Sequence, residues 1–132
     1  FGKNIPIIKT NFETAELIKY MNNTFLATKV SFLNEMKMLS DACGADWDSA
    51  IKGFALDSRV GNSHLQVPGI DGKRGFGGSC FPKDMQAIIN LADSIKIDLK
   101  VLKAAWMTNL VVRPEKDWEK LEGRAITSKK RG

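Results

Sequence analysis

The stretch TAELIKYMNNTFLATKVSFLNEMKMLSDAC, residues 14–43, decides the fold. Apolar or small residues recur in it every three or four positions, a spacing typical of one face of an α-helix. The members of this series are Ile18, Met21, Phe25, Thr28, Phe32, Met36, Leu39 and Cys43. Further apolar residues lie around much of the remaining circumference: Leu17, Ala27, Val30, Leu33 and Met38. We therefore expect one long helix that ends at Gly44 and is buried both against its own domain and against a partner subunit.

The sequence that follows remains helical in character, apart from one long loop. Asp46 is a candidate N-cap for a helix from Trp47 to Ala55. Residues 57–80, DSRVGNSHLQVPGIDGKRGFGGSC, are rich in glycine and have no periodicity, which predicts a long and therefore functional loop. Further helices are expected over residues 82–94, 99–112 and 115–121. The only strand candidate is Ile5–Ile8, so the predicted fold is all-α.

Composition limits the classes of protein to which the chain can belong. Its 132 residues fit one domain, and no apolar run reaches the roughly 18 residues that a membrane-spanning helix needs. Two cysteines, Cys43 and Cys80, are too few for a disulfide scaffold, which favours a reducing, cytoplasmic setting. The net charge of +5 is spread along the chain and partly collected at Lys129–Arg131, so it does not indicate a nucleic-acid partner.

The residues best suited to catalysis lie at the end of the long loop. In GFGGSCFPKD, residues 75–84, Pro82 fits a first helical turn and places Cys80 at a helix N-terminus. The positive end of the helix dipole stabilises a thiolate there, and Lys83 adds to this effect. Asp84 lies four residues beyond Cys80, on the same helix face. A nucleophile with a nearby carboxylate is a layout for covalent catalysis followed by hydrolysis.

Two simpler interpretations compete at this junction. A lone cysteine near a helix start is more often a small buried residue than a nucleophile. The glycines also suggest a dinucleotide-binding fingerprint, but that interpretation fails, because Cys80 occupies the third glycine position and no βαβ unit surrounds it. The chain thus has no recognisable NAD-binding motif, and no metal-ligand cluster is expected.

Three blocks of sequence resemble one enzyme family in their order and spacing. GFGGSCFPKD resembles the active-site signature of the UDP-glucose 6-dehydrogenases and their GDP-mannose and aminosugar relatives. The helix segments AELIKY (15–20) and NTFLATK (23–29), with Asn34-Glu35, match the long helix of this family. LDSRVGN, residues 56–62, resembles the D-x-R-[IV]-G stretch between them.

The resemblance implies a domain organisation. Residues 1–12 would end a preceding Rossmann-like domain that binds NAD, and residues 113–132 would form a C-terminal tail. Residues 13–112 would be the central helical domain, whose fold is similar to the helical C-terminal domain of the 6-phosphogluconate dehydrogenases. The chain would then be a fragment of a larger α/β enzyme, and the long helix would join subunits into a homodimer or a higher homo-oligomer.

The resemblance also implies a reaction and its residues. The family oxidises the C6 alcohol of UDP-glucose to UDP-glucuronate in two NAD-dependent steps. Cys80 would form a thiohemiacetal and then a thioester, while Lys19 and Asn23 would stabilise the oxyanion and Asp84 would position or activate water. Substrate-binding positions would be Phe76 and Gly77 of the loop, with Arg59 reaching the neighbouring subunit's substrate. Lys73 and Arg74 are both candidates for the basic residue that precedes the glycines. Lys83 would favour the thiolate or bind cofactor phosphate.

Other interpretations stay open at this point. Lys19 fits a solvated helix charge, Asn23 a simple cap or bridge, and Arg59 an ion pair with Asp57, while His64 is expected to be incidental. GDP-mannose or a UDP-aminosugar remains an alternative substrate, although Phe81 favours UDP-sugars. A non-catalytic helical dimerisation module is the alternative function. Neither a membrane nor a nucleic acid is expected as a partner.

Overall fold

The computed structural model describes residues 13–120, and that part of the chain contains helices and loops but no strand. The helices, in chain order, are α1 (Thr14–Cys43), α2 (Trp47–Ala55), α3 (Cys80–Ser94) and α4 (Lys100–Val112), with a 3-10 turn at Ser58–Val60. The all-α prediction is therefore confirmed for these residues. The expected strand at Ile5–Ile8 and the basic residues Lys129–Arg131 lie outside the described range.

Helix α1 is the axis against which the other elements pack. Its 30 residues give a length of about 45 Å at 1.5 Å per residue. It ends where the sequence predicts, because Gly44 adopts the left-handed conformation (φ 72°) that glycine enters without a steric penalty. Helices α3 and α4 both lie along it, and α2 contacts its C-terminal part.

The two faces of α1 differ in a way that the periodicity alone does not reveal. Its buried side consists of small and polar residues together with Leu33, among them Ala27, Ser31 and Asn34. Most of the large residues of the predicted apolar series are instead exposed, with Phe25 at 67% and Met21 at 58%. The exposed large apolar residues of α1 are Leu17, Ile18, Met21, Phe25, Phe32, Met38 and Leu39. The packing among residues 13–120 thus leaves the most hydrophobic face of the helix uncovered.

Two apolar clusters hold the long loop in place. The first joins Ala27 of α1, Met85 and Ile89 of α3 and Ala105 of α4 around the loop residue Phe76. The second joins Leu33 of α1 to the loop residues Leu65 and Val67, with side chains of α2 packed against them. The middle of the loop and its C-terminal end are therefore anchored by burial of apolar side chains.

The helices near the loop begin close to the positions predicted from the sequence. Asp46 caps α2 as predicted, and its carboxylate accepts a hydrogen bond from the hydroxyl of Ser49 at 2.7 Å. Helix α3 begins at Cys80, two residues before the predicted start at Pro82. Helix α4 begins at Lys100, one residue after the predicted Leu99.

Packing continues beyond the domain boundary expected at Val112. Arg113 and Trp118 are both about 2% exposed, and the indole of Trp118 lies 5.2 Å from that of Trp106 in α4. Residues 117–120 are helical, within the helix predicted over 115–121. Within residues 13–120 no helix is both long and apolar enough to cross a bilayer.

Candidate functional site

Cys80 is exposed and is the first residue of α3. Ser79 precedes it as N-cap but makes no side-chain capping bond, and its hydroxyl lies 3.9 Å from the Cys80 sulfur. The first N–H groups of a helix have no intrahelical acceptor. The thiol therefore stands beside unpaired backbone donors at the positive end of the helix dipole, a setting that favours an anion.

Asn23 and Asp84 meet directly although 61 residues separate them. The Asn23 amide Nδ2 donates a hydrogen bond to Oδ2 of Asp84 at 2.6 Å. The other carboxylate oxygen, Oδ1, is buried and has no hydrogen-bond partner among the described residues. The amine of Lys83 lies 3.9 Å from Oδ1, within ion-pair range but beyond a hydrogen bond. A buried acceptor without a partner requires an explanation, and a bound water or substrate hydroxyl would provide one.

Two buried asparagines hold the glycine-rich end of the loop, which we call the glycine loop (residues 74–78). Asn109 of α4 accepts from the Phe76 N–H at 2.7 Å and donates to the Phe76 carbonyl at 2.9 Å. Asn34 of α1 accepts from the Gly75 N–H at 3.1 Å. These amides satisfy backbone groups that a loop without secondary structure cannot pair by itself.

Arg113 holds the same loop from its other side. Its Nη1 donates to the carbonyls of Arg74 and Gly75 at 3.2 Å, Nη2 donates to Asp71, and Nε donates to Asp117 at 2.7 Å. Asp117 in turn accepts from the Gly78 N–H at 3.0 Å. Burial lowers the pKa of Arg113, but its hydrogen bonds with Asp71 and Asp117 prevail and raise that pKa above its ordinary value.

The carboxylates of this cluster are correspondingly acidic. The hydrogen bond from Arg113 lowers the pKa of Asp71, with burial opposing it. Burial raises the pKa of Asp117, yet the hydrogen bonds from the Gly78 N–H and from Arg113 bring it below the ordinary value. The cluster is therefore an ionised network at neutral pH, with a cation between two anions.

A cleft of about 980 Å³ opens beside the glycine loop. Its wall includes Gly75–Gly78 and Phe81, the preceding loop residues Asp71 and Lys73, and the pair Arg113 and Asp117. His64, expected to be incidental, lines the same cleft and lies against the Phe81 ring at a centroid distance of 5.6 Å. The volume is within the range that small-molecule sites occupy.

The other predicted substrate positions differ in their surroundings. Gly77 lines the cleft and so does Phe76, but the Phe76 side chain is 4% exposed and belongs to the core. Lys73 is exposed at the cleft, whereas the Arg74 guanidinium pairs with Asp41 of α1 at 3.4 Å. The geometry thus favours Lys73 over Arg74 as the basic residue at this cleft.

Two predicted residues are not brought to Cys80 by contacts within the chain. Arg59 makes a bidentate ion pair with Asp57, the alternative expected from the sequence, and its side chain is 86% exposed. The amine of Lys19 lies 5.8 Å from the centre of the Tyr20 ring. Both cations are at the surface, so both remain available to a further ligand or subunit.

Sequence reasoning missed Asn34, Asn109 and Arg113, which hold the glycine loop. The available signal was an asparagine inside each of two apolar helical runs, VSFLNEM and AAWMTNLVV. An amide there lowers helix propensity and indicates a buried hydrogen-bonding role. Arg113, which precedes Pro114 at the end of a helical run, gives no comparable signal in the sequence. No group of three metal-ligating side chains occurs within residues 13–120.

Comparison with known proteins adds an independent observation. Residues 13–110 match the central domain of the UDP-glucose/GDP-mannose dehydrogenase family. The chain is 47% identical over 104 residues (79% of this chain, 22% of the relative) to UDP-glucose 6-dehydrogenase TuaD of Bacillus subtilis. It is 44% identical over 107 residues (81% and 24%) to UDP-glucose 6-dehydrogenase of Rickettsia typhi. It is 42% identical over 105 residues (80% and 23%) to UDP-glucose 6-dehydrogenase YwqF of Bacillus subtilis. The chain therefore spans less than a quarter of the length of these relatives.

Proposed function

The chain belongs to the UDP-glucose/GDP-mannose dehydrogenase family, and on that premise we propose that it supplies the nucleophile of a UDP-glucose 6-dehydrogenase. The single observation that carries the proposal is the Asn23–Asp84 hydrogen bond, which joins an amide of α1 to a carboxylate four residues after Cys80 in α3. The reaction is oxidation of the sugar C6 alcohol to a carboxylate. Residues 13–112 act as its central domain.

Cys80 performs the covalent part of the reaction. Its thiolate attacks the carbon of the C6 aldehyde, a C–S bond forms, and the carbonyl oxygen becomes the oxyanion of a thiohemiacetal. Loss of a hydride from that carbon gives a thioester. Water then attacks the thioester, the C–S bond breaks, and the thiolate is regenerated as the carboxylate leaves. The exposed position at the start of α3 suits this role, because the backbone dipoles there stabilise the thiolate that must leave in the last step.

Asn23 and Lys19 stabilise the oxyanion. An amide nitrogen carries two hydrogens, and only one is used in the bond from Asn23 to Asp84, so the second is left for the oxyanion. Lys19 lies one helical turn before Asn23 and therefore on the same face of α1. Its amine is at the surface beside Tyr20, and its flexible stem allows it to reach a bound substrate.

Asp84 positions the water that hydrolyses the thioester. Its Oδ2 is fixed by Asn23, and its buried Oδ1 is an acceptor that a water hydrogen would satisfy. A carboxylate held in this way accepts a proton from the attacking water.

The cleft beside the glycine loop accommodates the nucleotide part of the substrate. It borders Gly77 and Gly78, just before Cys80, so a ligand in it would extend its sugar toward the thiol. Lys73 places a cation on its rim for a diphosphate. Arg59, which is 86% exposed and oriented by Asp57, is positioned to serve a neighbouring subunit.

NAD, when bound, accepts the hydride in each oxidation. Dinucleotide folds bind at the ends of sheet strands, and residues 13–120 contain no strand, so we assign most of the NAD site to a part of the enzyme outside these residues. Lys83 is the one described residue that we assign to cofactor phosphate, since its side chain is 61% exposed three residues after Cys80.

A second copy of the chain covers the exposed apolar face of α1. Seven large apolar side chains on one helix form a patch that monomeric proteins rarely leave in water. The patch runs along a helix of 30 residues, which suits pairing with the same helix of a second subunit. We therefore assign a homodimer or a higher homo-oligomer.

The proposal is tested first on the thiols. Iodoacetamide at neutral pH should alkylate Cys80 at least tenfold faster than Cys43, although both cysteines are exposed. Equal and slow rates at the two positions would contradict an activated thiolate.

The second test is NADH formation by the complete gene product that contains this chain, with UDP-glucose, GDP-mannose and a UDP-aminosugar supplied separately. Two NADH per UDP-glucose, lost in Cys80→Ala and retained in the matched control Cys43→Ala, is the expected result. Turnover of only one of the other sugars would reassign the substrate. Full activity of Cys80→Ala would show that Cys80 is not the nucleophile.

A further inference from the structure

The guanidinium of Arg113 is engaged mainly by the chain itself. Its side chain is 3% exposed, and each of its three nitrogens donates to at least one of four acceptors: two carboxylates and two loop carbonyls. These bonds use four of its five N–H donors. The main effect that we expect of it on the reaction therefore passes through the groups that it holds.

Those groups lie at both ends of the glycine loop. Arg113 holds the carbonyls of Arg74 and Gly75, and its partner Asp117 holds the N–H of Gly78. Gly78 is two residues before Cys80. The Arg113–Asp117 pair thus fixes the path of the backbone immediately before the thiol.

The loop backbone also rests on the guanidinium itself. A Cβ added at Gly77 would lie 2.5 Å from three atoms of the Arg113 side chain, closer than any such contact in real structures. Glycine at this position therefore allows the loop to approach the arginine. The Arg113 side chain in turn limits how closely the loop can approach it, so the positions of Gly77 and Arg113 depend on each other.

Stability alone does not account for such an arrangement. A buried ion pair is often no more stabilising than apolar residues of the same volume, because both charges lose their hydration. The planar guanidinium of arginine has fixed donor directions and therefore determines the geometry of the groups that it binds. The ammonium of lysine, a point charge on a flexible stem, does not. The cluster is better suited to orienting the loop than to raising the stability of the fold.

We propose that Arg113 is a positioning residue: together with Asp71 and Asp117, it fixes the glycine loop and so sets the place of the Cys80 thiol. This inference rests on the proposed function, since it assumes that Cys80 is the nucleophile. It assigns to Arg113, whose nearly buried side chain borders the cleft, a role that acts through the loop and not through a bond to the reacting atoms.

The test variant is Arg113→Lys, which keeps the positive charge and loses the fork. An ammonium cannot reach Asp71, Asp117 and both carbonyls at once, so the loop should loosen. We expect the ratio of the Cys80 to the Cys43 alkylation rate to fall about tenfold, because a displaced thiol loses part of the stabilisation that the N-terminus of α3 gives to its thiolate. Cys43 should keep its own rate and serves as the internal reference for the reagent.

The matched control is Lys103→Met. Lys103 is also a cation with two carboxylate partners, Asp93 and Asp98, but it lies outside the glycine loop. The Lys103→Met variant should leave the alkylation ratio unchanged.

In the complete gene product, Arg113→Lys should lower kcat about tenfold and change KM for the sugar nucleotide by less, whereas a direct substrate contact would raise KM.

Gly77→Ala provides a second approach if Arg113→Lys does not fold. It keeps all four partners of Arg113 but pushes the guanidinium away, and it should lower the alkylation ratio in the same direction. Adding Gly77→Ala to Arg113→Lys should cost little more, because the shorter side chain removes the clash.

The outcomes separate this inference from the proposed function. If the wild-type protein has a Cys80-to-Cys43 alkylation ratio near one, both the assignment of Cys80 as nucleophile and this inference are wrong. A high wild-type ratio that Arg113→Lys and Gly77→Ala leave unchanged or increase, or a change confined to KM, overturns the inference alone.

Discussion

Replacing Asn109 by alanine should destabilise the fold more than any other single amide-to-alanine change near the site. Its side chain is fully buried and makes both hydrogen bonds to the Phe76 backbone, at 2.7 and 2.9 Å. Alanine leaves a buried N–H and a buried carbonyl without partners, each at a cost of about 1–3 kcal/mol. The expected loss is therefore about 2–6 kcal/mol, against a total stability of about 5–15 kcal/mol for a small domain.

Urea and thermal unfolding followed by circular dichroism measure this loss. At about 4–8 °C per kcal/mol, even the lower limit should reduce the melting temperature by at least about 8 °C. The control is Asn90→Ala on the exposed side of α3, which should change stability by no more than about 0.5 kcal/mol. A loss below about 1 kcal/mol for Asn109→Ala would show that water replaces the amide, and would refute the view that this side chain holds the loop.

Three further predictions concern release, pH and assembly. Asp84→Asn should slow turnover by about 10²–10⁴-fold and let the thioester accumulate, visible as added mass in intact mass spectrometry; an unchanged rate would exclude Asp84 from hydrolysis. The pKa values of Asp71 and Asp117 lie below 3.8 in the folded protein, so their contribution to stability should be full above pH 3.8 and should be lost as the pH falls through the folded-state pKa values. In urea titrations, the variant with both residues changed to asparagine should therefore lose less stability in acid than the wild type. Phe25→Asp should convert the dimer to monomer in light scattering, while Ile70→Asp, at a 99% exposed loop residue, should not; a persistent dimer would place the interface elsewhere.

The helices could be predicted from the sequence because their signals are local. The spacing of apolar residues, the Asp46 cap and the left-handed Gly44 gave α1 and α2 with correct ends. The same spacing could not say which neighbour each face of α1 meets. Small residues such as Ala27 face α3 and α4, because they let helices approach closely, and the larger residues are left outside.

The candidate site could be predicted only in part, because its contacts are long-range. Cys80 and Asp84 belong to one motif, but the bond from Asn23 to Asp84 spans 61 residues and no local rule predicts it. The bonds of Asn109 to Phe76 span 33 residues and those of Arg113 to the loop span 38 and more. A pattern can show that a polar residue is unusual in an apolar helix, but only the fold shows which backbone group it pairs with.

The glycine loop explains why these polar residues must be buried. The backbone of this loop belongs to neither a helix nor a sheet, so it needs another source of order. The core supplies one apolar anchor through Phe76, which fixes position but not orientation, because hydrophobic contact is non-directional. Directional order comes from Asn34, Asn109 and Arg113, on three different parts of the chain. The geometry around Cys80 is therefore determined largely by residues that a search for catalytic chemistry would pass over, and substitutions in α1 or α4 should alter the reaction without touching its substrate.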